Sequence, residues 1–82
     1  MSSSFEDRIR AARRLEDQIR SARRHVELNR ALIDHYKELL EKHRLESRDT
    51  KPVEDLLETL ERTQQVFEHD LAELERRRDR GN

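Results

Sequence analysis

Hydrophobic residues recur at every third or fourth position along most of this chain, in two stretches of unequal length. The first stretch runs over residues 5–47 and contains neither Gly nor Pro, and the second begins at Pro52 and runs to about residue 80. This spacing is the period of an α-helix with one apolar face. The pattern therefore predicts an all-α fold with a helix over about 4–47, a turn over 48–51 and a second helix over about 52–80.

The apolar rows of both helices follow heptad positions. One row of the first helix is Phe5, Ala12, Ile19, Val26, Ile33 and Leu40. The matching rows of the second helix are Val53, Leu60, Phe67 and Leu74, and Leu57, Gln64, Leu71 and Arg78. Leu32, Leu39 and Leu56 widen these rows into a face that is typical of a helical bundle rather than a two-stranded seam.

The connection between the helices is short, which predicts an antiparallel two-helix hairpin. Asp49 or Thr50 can cap the second helix, and Pro52 falls in its first turn, where no backbone donor is lost. Matching the apolar rows backwards from the turn places Gln64 beside Ile33.

In that register the second helix ends level with residues 16–19 of the first. Four apolar residues then project beyond it by some 20 Å, at ~1.5 Å of rise per residue: Phe5, Ile9, Ala12 and Leu15. Exposed apolar stripes of this kind need a partner, so these four residues and Ile19 form the predicted oligomer interface. Two antiparallel hairpins would cover each other's projecting ends and close a four-helix bundle or coiled coil, which favours a homodimer.

Composition is that of a single helical domain that needs a partner. The 82 residues are 45% charged and 32% hydrophobic, a profile of coiled coils and long helices. Disorder is the competing interpretation, and the regular apolar spacing weighs against it. A chain this short buries little surface on its own. No apolar run approaches the ~20 residues of a membrane span, and the absence of Cys suits a reducing compartment, so we expect a cytoplasmic protein without membrane contact.

The distribution of charge supports the pairing of the helices. Residues 52–75 hold eight acids against Arg62 alone, a balance of −7, whereas residues 1–30 hold eight arginines against five acids, a balance of +3. Opposite signs favour antiparallel docking, although each exposed ion pair contributes only ~0.2–1 kcal/mol. Charge therefore selects the orientation, and apolar burial supplies most of the stability.

Four polar residues interrupt the apolar rows: Asn29, Tyr36, His43 and Gln64. They could line a small polar pocket. The favoured interpretation is that they hydrogen-bond across helices and fix the register and the partner number, at some cost in stability. His43, closest to the turn, is the best candidate for pH sensitivity.

Arginine is concentrated at the end of the hairpin away from the turn. A candidate patch for an anionic partner consists of Arg13, Arg14, Arg20, Arg24, Arg76 and Arg77. Such a patch could bind nucleic acid or an acidic protein. The total charge of −1, the interleaved acids and the lack of stacking aromatic residues make nucleic acid the less favoured partner.

Metal binding and catalysis are not favoured by the sequence. The four histidines (His25, His35, His43 and His69) form no Glu-x-x-His motif of a helical di-iron site. The chain has no Gly-rich phosphate loop, no Cys and no serine in a nucleophile context. We therefore expect a protein that is not an enzyme and that binds no metal or cofactor.

Three segments carry a family resemblance. They are residues 22–26 (Ala-Arg-Arg-His-Val), residues 49–50 (Asp-Thr) and residues 55–64 (Asp-Leu-Leu-Glu-Thr-Leu-Glu-Arg-Thr-Gln), within a stretch from about Leu15 to Arg77. This stretch resembles short bacterial helical-hairpin proteins without assigned function, which share the basic first helix, a turn ending in Asp-Thr and a Leu-Leu-x-x-x-Glu-x-Thr second helix. The resemblance implies no catalytic residues.

Together these features predict a helical assembly or protein–protein interaction module that self-associates through apolar helix faces. Two alternatives remain open. The first is binding of nucleic acid or an acidic partner through the Arg-rich end, and the second is a designed helical oligomer.

Overall fold

Two helices account for nearly all of the described chain in the computed structural model. The structure describes the backbone of residues 3–81 and the solvent exposure of the side chains of residues 4–81. Helix α1 spans Ser3–Leu45 and helix α2 spans Lys51–Arg80. The two helices pack against each other as a hairpin with dimensions of 70 × 16 × 14 Å. The all-α architecture of two paired helices, predicted from the hydrophobic pattern, is confirmed.

The end of α1 is fixed by a left-handed residue. Ser47 has a φ of +56°. Its N–H donates to the Arg44 carbonyl at 3.2 Å, and the Arg48 N–H donates to the His43 carbonyl at 2.8 Å. This is the Schellman arrangement, in which the left-handed residue is usually Gly. Because Ser47 reverses the chain, α1 ends two residues before the predicted boundary.

The start of α2 uses both residues that were predicted to cap it, in different ways. Thr50 occupies the N-cap position, and its carbonyl accepts the first helical hydrogen bond from the Glu54 N–H at 2.9 Å. The Thr50 hydroxyl donates to the Glu54 carboxylate at 3.2 Å and does not cap the helix. The Asp49 carboxylate accepts from the Lys51 N–H at 3.0 Å. Pro52 follows in the first turn, where its missing N–H costs no hydrogen bond.

The core runs along the hairpin axis and contains few side chains. Its buried apolar members are Ile19, Val26, Ile33, Val53 and Leu57. The last three form a cluster near the turn, and partly buried neighbours pack around them: Tyr36, Leu39, Leu40 and Leu60. Because two helices cover each other on one face only, the remaining faces of both helices stay open to solvent.

The helices pair in a register that differs from the predicted one. Gln64 hydrogen-bonds to the Asn29 side chain and to the Val26 carbonyl, one to two helical turns nearer the amino terminus than its predicted neighbour Ile33. The two buried amides explain the shift, because a register that separated them would leave buried polar groups without partners. The predicted pairing of Gln64 with Ile33 is therefore wrong.

Candidate functional site

Two of the four polar residues in the apolar rows are buried together between the helices. Asn29 is 5% exposed and Gln64 is 8% exposed. The Asn29 amide donates to Gln64 Oε1 at 2.8 Å and to the Leu60 carbonyl at 2.9 Å. Gln64 Nε2 donates to the Val26 carbonyl and to the Glu68 carboxylate, each at 3.2 Å. These bonds join α1 to α2 at the middle of the hairpin and hold the register.

The other two polar residues of the apolar rows lie towards the turn, away from this pair. Tyr36 is half-buried beside the core cluster, and its ring meets the His35 ring edge-on with centroids 5.1 Å apart. His43 is half-buried, and its Nδ1 atom is buried without a hydrogen-bond partner among the described residues. From Asn29 to His43 the row covers ~21 Å of helix, which is too long for one small polar pocket.

The apolar residues predicted to form an oligomer interface differ in exposure. Phe5 is 67% exposed, Ile9 is 36% exposed, and Ala12 is also exposed. Leu15 is half-buried, and Ile19 is only 1% exposed. Ile19 therefore belongs to the core of the hairpin itself and cannot reach a second chain, whereas Phe5, Ile9 and Ala12 remain accessible.

Helix α2 reaches farther along α1 than predicted. Arg78 forms an ion pair with Glu16 at 3.9 Å, and Arg77 lines a groove together with Ala12. The prediction that α2 ends level with residues 16–19 is therefore wrong, because the shifted register moves its carboxyl end towards the start of α1. The part of α1 that projects is some eight residues long, or ~12 Å at 1.5 Å per residue.

A groove opens between the helices at the end away from the turn. Its volume is about 520 Å³. Four small or apolar residues, three arginines and one acid line it: Ala11, Ala12, Leu15, Gly81, Arg8, Arg77, Arg78 and Glu16. We call this the open-end groove. Glu16 pairs with Arg78, and the apolar surface next to Arg8 and Arg77 suits a segment that is both apolar and acidic.

The six arginines of the candidate anionic-partner patch are all exposed: Arg13, Arg14, Arg20, Arg24, Arg76 and Arg77. Arg20 pairs with Asp17 at 3.4 Å, and Arg76 pairs with Glu73. The hydrogen bond and the charge of Arg76 hold the pKa of the Glu73 carboxyl below its usual range. Arg20 lines a groove of α1 with Asp17, whereas Arg77 lines the open-end groove. Arg24 lines the same groove as Arg20, so these two arginines share one surface and Arg77 lies on another.

Ion pairs between the helices follow one flank of the hairpin. Arg23 pairs with Glu75 and Arg30 pairs with Glu68, each at 3.3 Å. These residues belong to rows with seven-residue spacing, which are Arg23, Arg30, Lys37 and Arg44 on α1, and Glu54, Glu61, Glu68 and Glu75 on α2. We call this the charged flank. The signal in the sequence is the heptad spacing of opposite charges, which a count of charge by region does not reveal.

The flank on the other side of the core rows carries apolar side chains that range from half-buried to exposed. Its apolar residues, which we call the uncharged flank, are Leu28, Leu32, Leu39, Leu56, Val66 and Phe67. Leu28 is 52% exposed, Leu32 is 46% exposed and Val66 is 57% exposed. The His25 ring stacks on the Phe67 ring with centroids 5.3 Å apart, beside a groove of about 270 Å³ between the helices. Asp70 also lines that groove, and both helices place exposed apolar side chains on this flank.

The described part of the chain holds neither a cluster of metal ligands nor a helix able to span a membrane. Across residues 3–81, no three His, Asp or Glu side chains are arranged to hold a metal ion. Over that same range, neither helix combines the length and the apolarity needed to cross a bilayer. The histidines occupy different surroundings: His25 stacks on Phe67, and His35 meets Tyr36.

The segments that carry the family resemblance occupy the expected elements. Residues 22–26 lie within α1, residues 49–50 precede α2, and residues 55–64 lie within α2. This layout follows from the two helices alone, so the resemblance stays a prediction. No protein-family model, curated protein or solved structure matches this chain.

Proposed function

We propose that this chain is a non-enzymatic helical assembly module that associates with a second copy of itself through apolar helix faces. The observation that supports the proposal is the imbalance between covered and uncovered apolar side chains. Among residues 4–81, five apolar side chains are buried, while seven large ones stay exposed: Phe5, Ile9, Leu28, Leu32, Leu45, Leu56 and Val66. Monomeric proteins rarely expose contiguous apolar patches larger than roughly 300–600 Å².

A single hairpin gains limited stabilisation from so small a core. Full burial of a Val, Leu or Ile side chain contributes ~1.5–3 kcal/mol, while ordering the backbone costs ~1–2 kcal/mol per residue. Domains of this size therefore often depend on oligomerisation, a metal or a disulfide. With no cysteine in the chain, association with a second copy is the simplest source of additional burial. Covering the exposed leucines in this way would close a four-helix bundle.

We place this self-association in the cytoplasm. The chain contains no cysteine, and assembly through apolar contacts requires no oxidising compartment. A dimer formed in this way would present the arginines of both copies on its outside, where a further protein partner could bind.

The proposal is tested by the molar mass of the chain in solution. Light scattering coupled to size exclusion measures mass independently of shape, which matters for a rod 70 Å long. We expect twice the 10.0 kDa of one chain at tens of micromolar, with dissociation on dilution. A mass of one chain throughout that range would refute self-association.

A second candidate function is the binding of an acidic partner at the Arg-rich end. The open-end groove supports it, because Arg8, Arg77 and Arg78 lie beside apolar surface there. We expect an acidic amphipathic peptide to bind at low salt and to be released as salt rises. Arg77→Glu should abolish that binding, whereas Arg62→Glu, a change on α2 far from the groove, should not. Retardation of DNA or RNA by the same chain would point to nucleic acid as the partner, and no binding of any polyanion at low salt would eliminate this candidate.

A further inference from the structure

Helix α1 continues past the end of α2 with the same rows of positions that α2 covers farther along. Asn29 lies in one of these rows and is buried between the helices. Leu15 and Arg8 precede it in that row at seven-residue spacing; Leu15 is half-buried, whereas Arg8 is exposed and lines the open-end groove. The neighbouring row adds Phe5 and Ala12, which are also exposed. The projecting end of α1 therefore presents a helix-packing face that lies beyond the reach of α2.

Arg8 has no carboxylate partner within the part of the chain that the structure describes. The acids nearest to it in sequence, Glu6 and Asp7, pair with Arg10. Glu16, the acid of the open-end groove, pairs with an arginine of α2. A helix laid over this face would also cover Arg8, and a charge buried without a partner is strongly destabilising. A helix that docks here must therefore bring a carboxylate of its own.

The chain contains a completed example of this arrangement on its other helix. Arg78 occupies the row of α2 in which Leu57 and Gln64 are buried. Its side chain is 30% exposed and lies 3.9 Å from the Glu16 carboxylate on the opposite helix. An arginine in a packed row is thus accommodated by an acid on the helix that faces it. Arg8 instead lies beside the end of α2, which contributes two arginines to the groove.

A second copy of the chain does not supply the matching surface. Two open ends brought together would set Arg8 and Arg77 of one copy near the same arginines of the other, so that like charges would meet. The turn end is acidic, with four acids and no base in residues 52–61. The apolar row of α2 is already packed against α1 there, since Val53 and Leu57 are buried. Charge and free apolar surface together therefore favour a helix of another protein.

We infer that an acidic amphipathic helix of a partner protein docks on the projecting end of α1, in line with α2, and sets a carboxylate against Arg8. Its apolar side chains cover Phe5 and Ala12, and its acids also face Arg77 in the open-end groove. Two turns of such a helix, ~11 Å long, match the ~12 Å by which α1 projects. The inference rests on the second candidate function and adds to it the form of the partner and the residues that the partner contacts.

The chemistry of the partner is tested with a pair of synthetic peptides. The probe is a helical peptide of about three turns, with leucine at heptad spacing and glutamate on both sides of the leucine row. A hydrocarbon staple keeps it helical, because peptides this short are otherwise largely unfolded in water. The control peptide has glutamine in place of every glutamate. In fluorescence anisotropy at low salt, we expect the glutamate peptide to bind at least about tenfold more tightly, and the difference to shrink as salt rises.

The place of docking is tested with three variants of the full chain. We expect Arg8→Gln to weaken binding of the glutamate peptide at least about tenfold, and to bring the two peptides close to equal affinity, because the paired charge is lost. Phe5→Ala should weaken both peptides at least about fivefold, because it removes apolar contact at the projecting end. Arg14→Gln, at an exposed position on the side of α1 away from the core rows, should stay within about twofold of the original chain. Circular dichroism checks that each variant keeps its helices.

The outcomes separate the inference from the function on which it rests. Binding of the glutamate peptide that is lost in Arg77→Glu but unchanged in Arg8→Gln and Phe5→Ala would overturn the docked helix and leave an acidic partner in the open-end groove. If the glutamate peptide does not bind at low salt, the inference is overturned, and the candidate function falls with it when no other polyanion binds. A molar mass that falls from two copies to one in Phe5→Ala would identify a second copy as the occupant and overturn the inference.

Discussion

Replacing Asn29 by alanine removes the donor that bridges the two helices at their middle. The Asn29 amide donates to Gln64 Oε1 at 2.8 Å and to the Leu60 carbonyl at 2.9 Å. Gln64 is 8% exposed, so its oxygen would lose its partner where water cannot easily replace it. A buried acceptor left unsatisfied costs ~1–3 kcal/mol, and alanine returns up to ~0.7 kcal/mol through its higher helix propensity. The middle of that cost less the gain in helix propensity gives an expected fall in the free energy of unfolding of about 1.3 kcal/mol.

Urea unfolding followed by circular dichroism measures this loss, at one fixed protein concentration because association contributes to stability. The double variant Asn29→Leu with Gln64→Leu removes donor and acceptor together, and we expect it to be at least as stable as either single leucine variant. Gln65→Ala, an exposed neighbour of Gln64, is the control and should change stability by less than about 0.5 kcal/mol. A loss below 0.5 kcal/mol in Asn29→Ala, or a double variant less stable than both single ones, would refute the reasoning.

Two further predictions concern the turn and the start of α2. Ser47→Gly should raise the free energy of unfolding by about 0.5–1 kcal/mol, because Ser47 is left-handed with φ +56° and that conformation costs less for glycine. Midpoints of urea unfolding measure the change, and a Gly variant no more stable than Ser47→Ala would contradict the prediction. The hydrogen bond and charge of Asp55 raise the pKa of Lys51 above 10.5, so the stability contributed by this pair is present below pH 10.5 and is lost as pH rises through the higher folded pKa. Thermal melts from pH 9 upward should show that loss in the original chain and in Lys42→Met but not in Lys51→Met, and identical pH profiles for all three would exclude the effect.

The candidate surfaces were only partly visible in the sequence. The apolar rows placed Phe5 and Ile9 at an exposed end of α1, and both side chains are accessible there. The same rows counted Ile19 as interface, but α2 covers it. Exposure depends on where the partner helix ends, and hydrophobic spacing within one helix does not contain that information. The sequence contains the charged flank as rows of opposite charge at seven-residue spacing on the two helices. The ion pair between Arg30 and Glu68 shows that these two rows face each other.

The sequence by itself determined the two helices and the turn between them. Three local properties of the sequence favour helical backbone over both stretches and a break between them. They are the hydrophobic spacing, the absence of Gly and Pro from the first stretch, and the position of Pro52. The tertiary structure alone decided the register, the reach of α2 and the flank that stays apolar and open. Those features depend on the left-handed Ser47 and on the mutual satisfaction of Asn29 and Gln64, because a turn conformation and a buried hydrogen bond are decided only when the two helices meet.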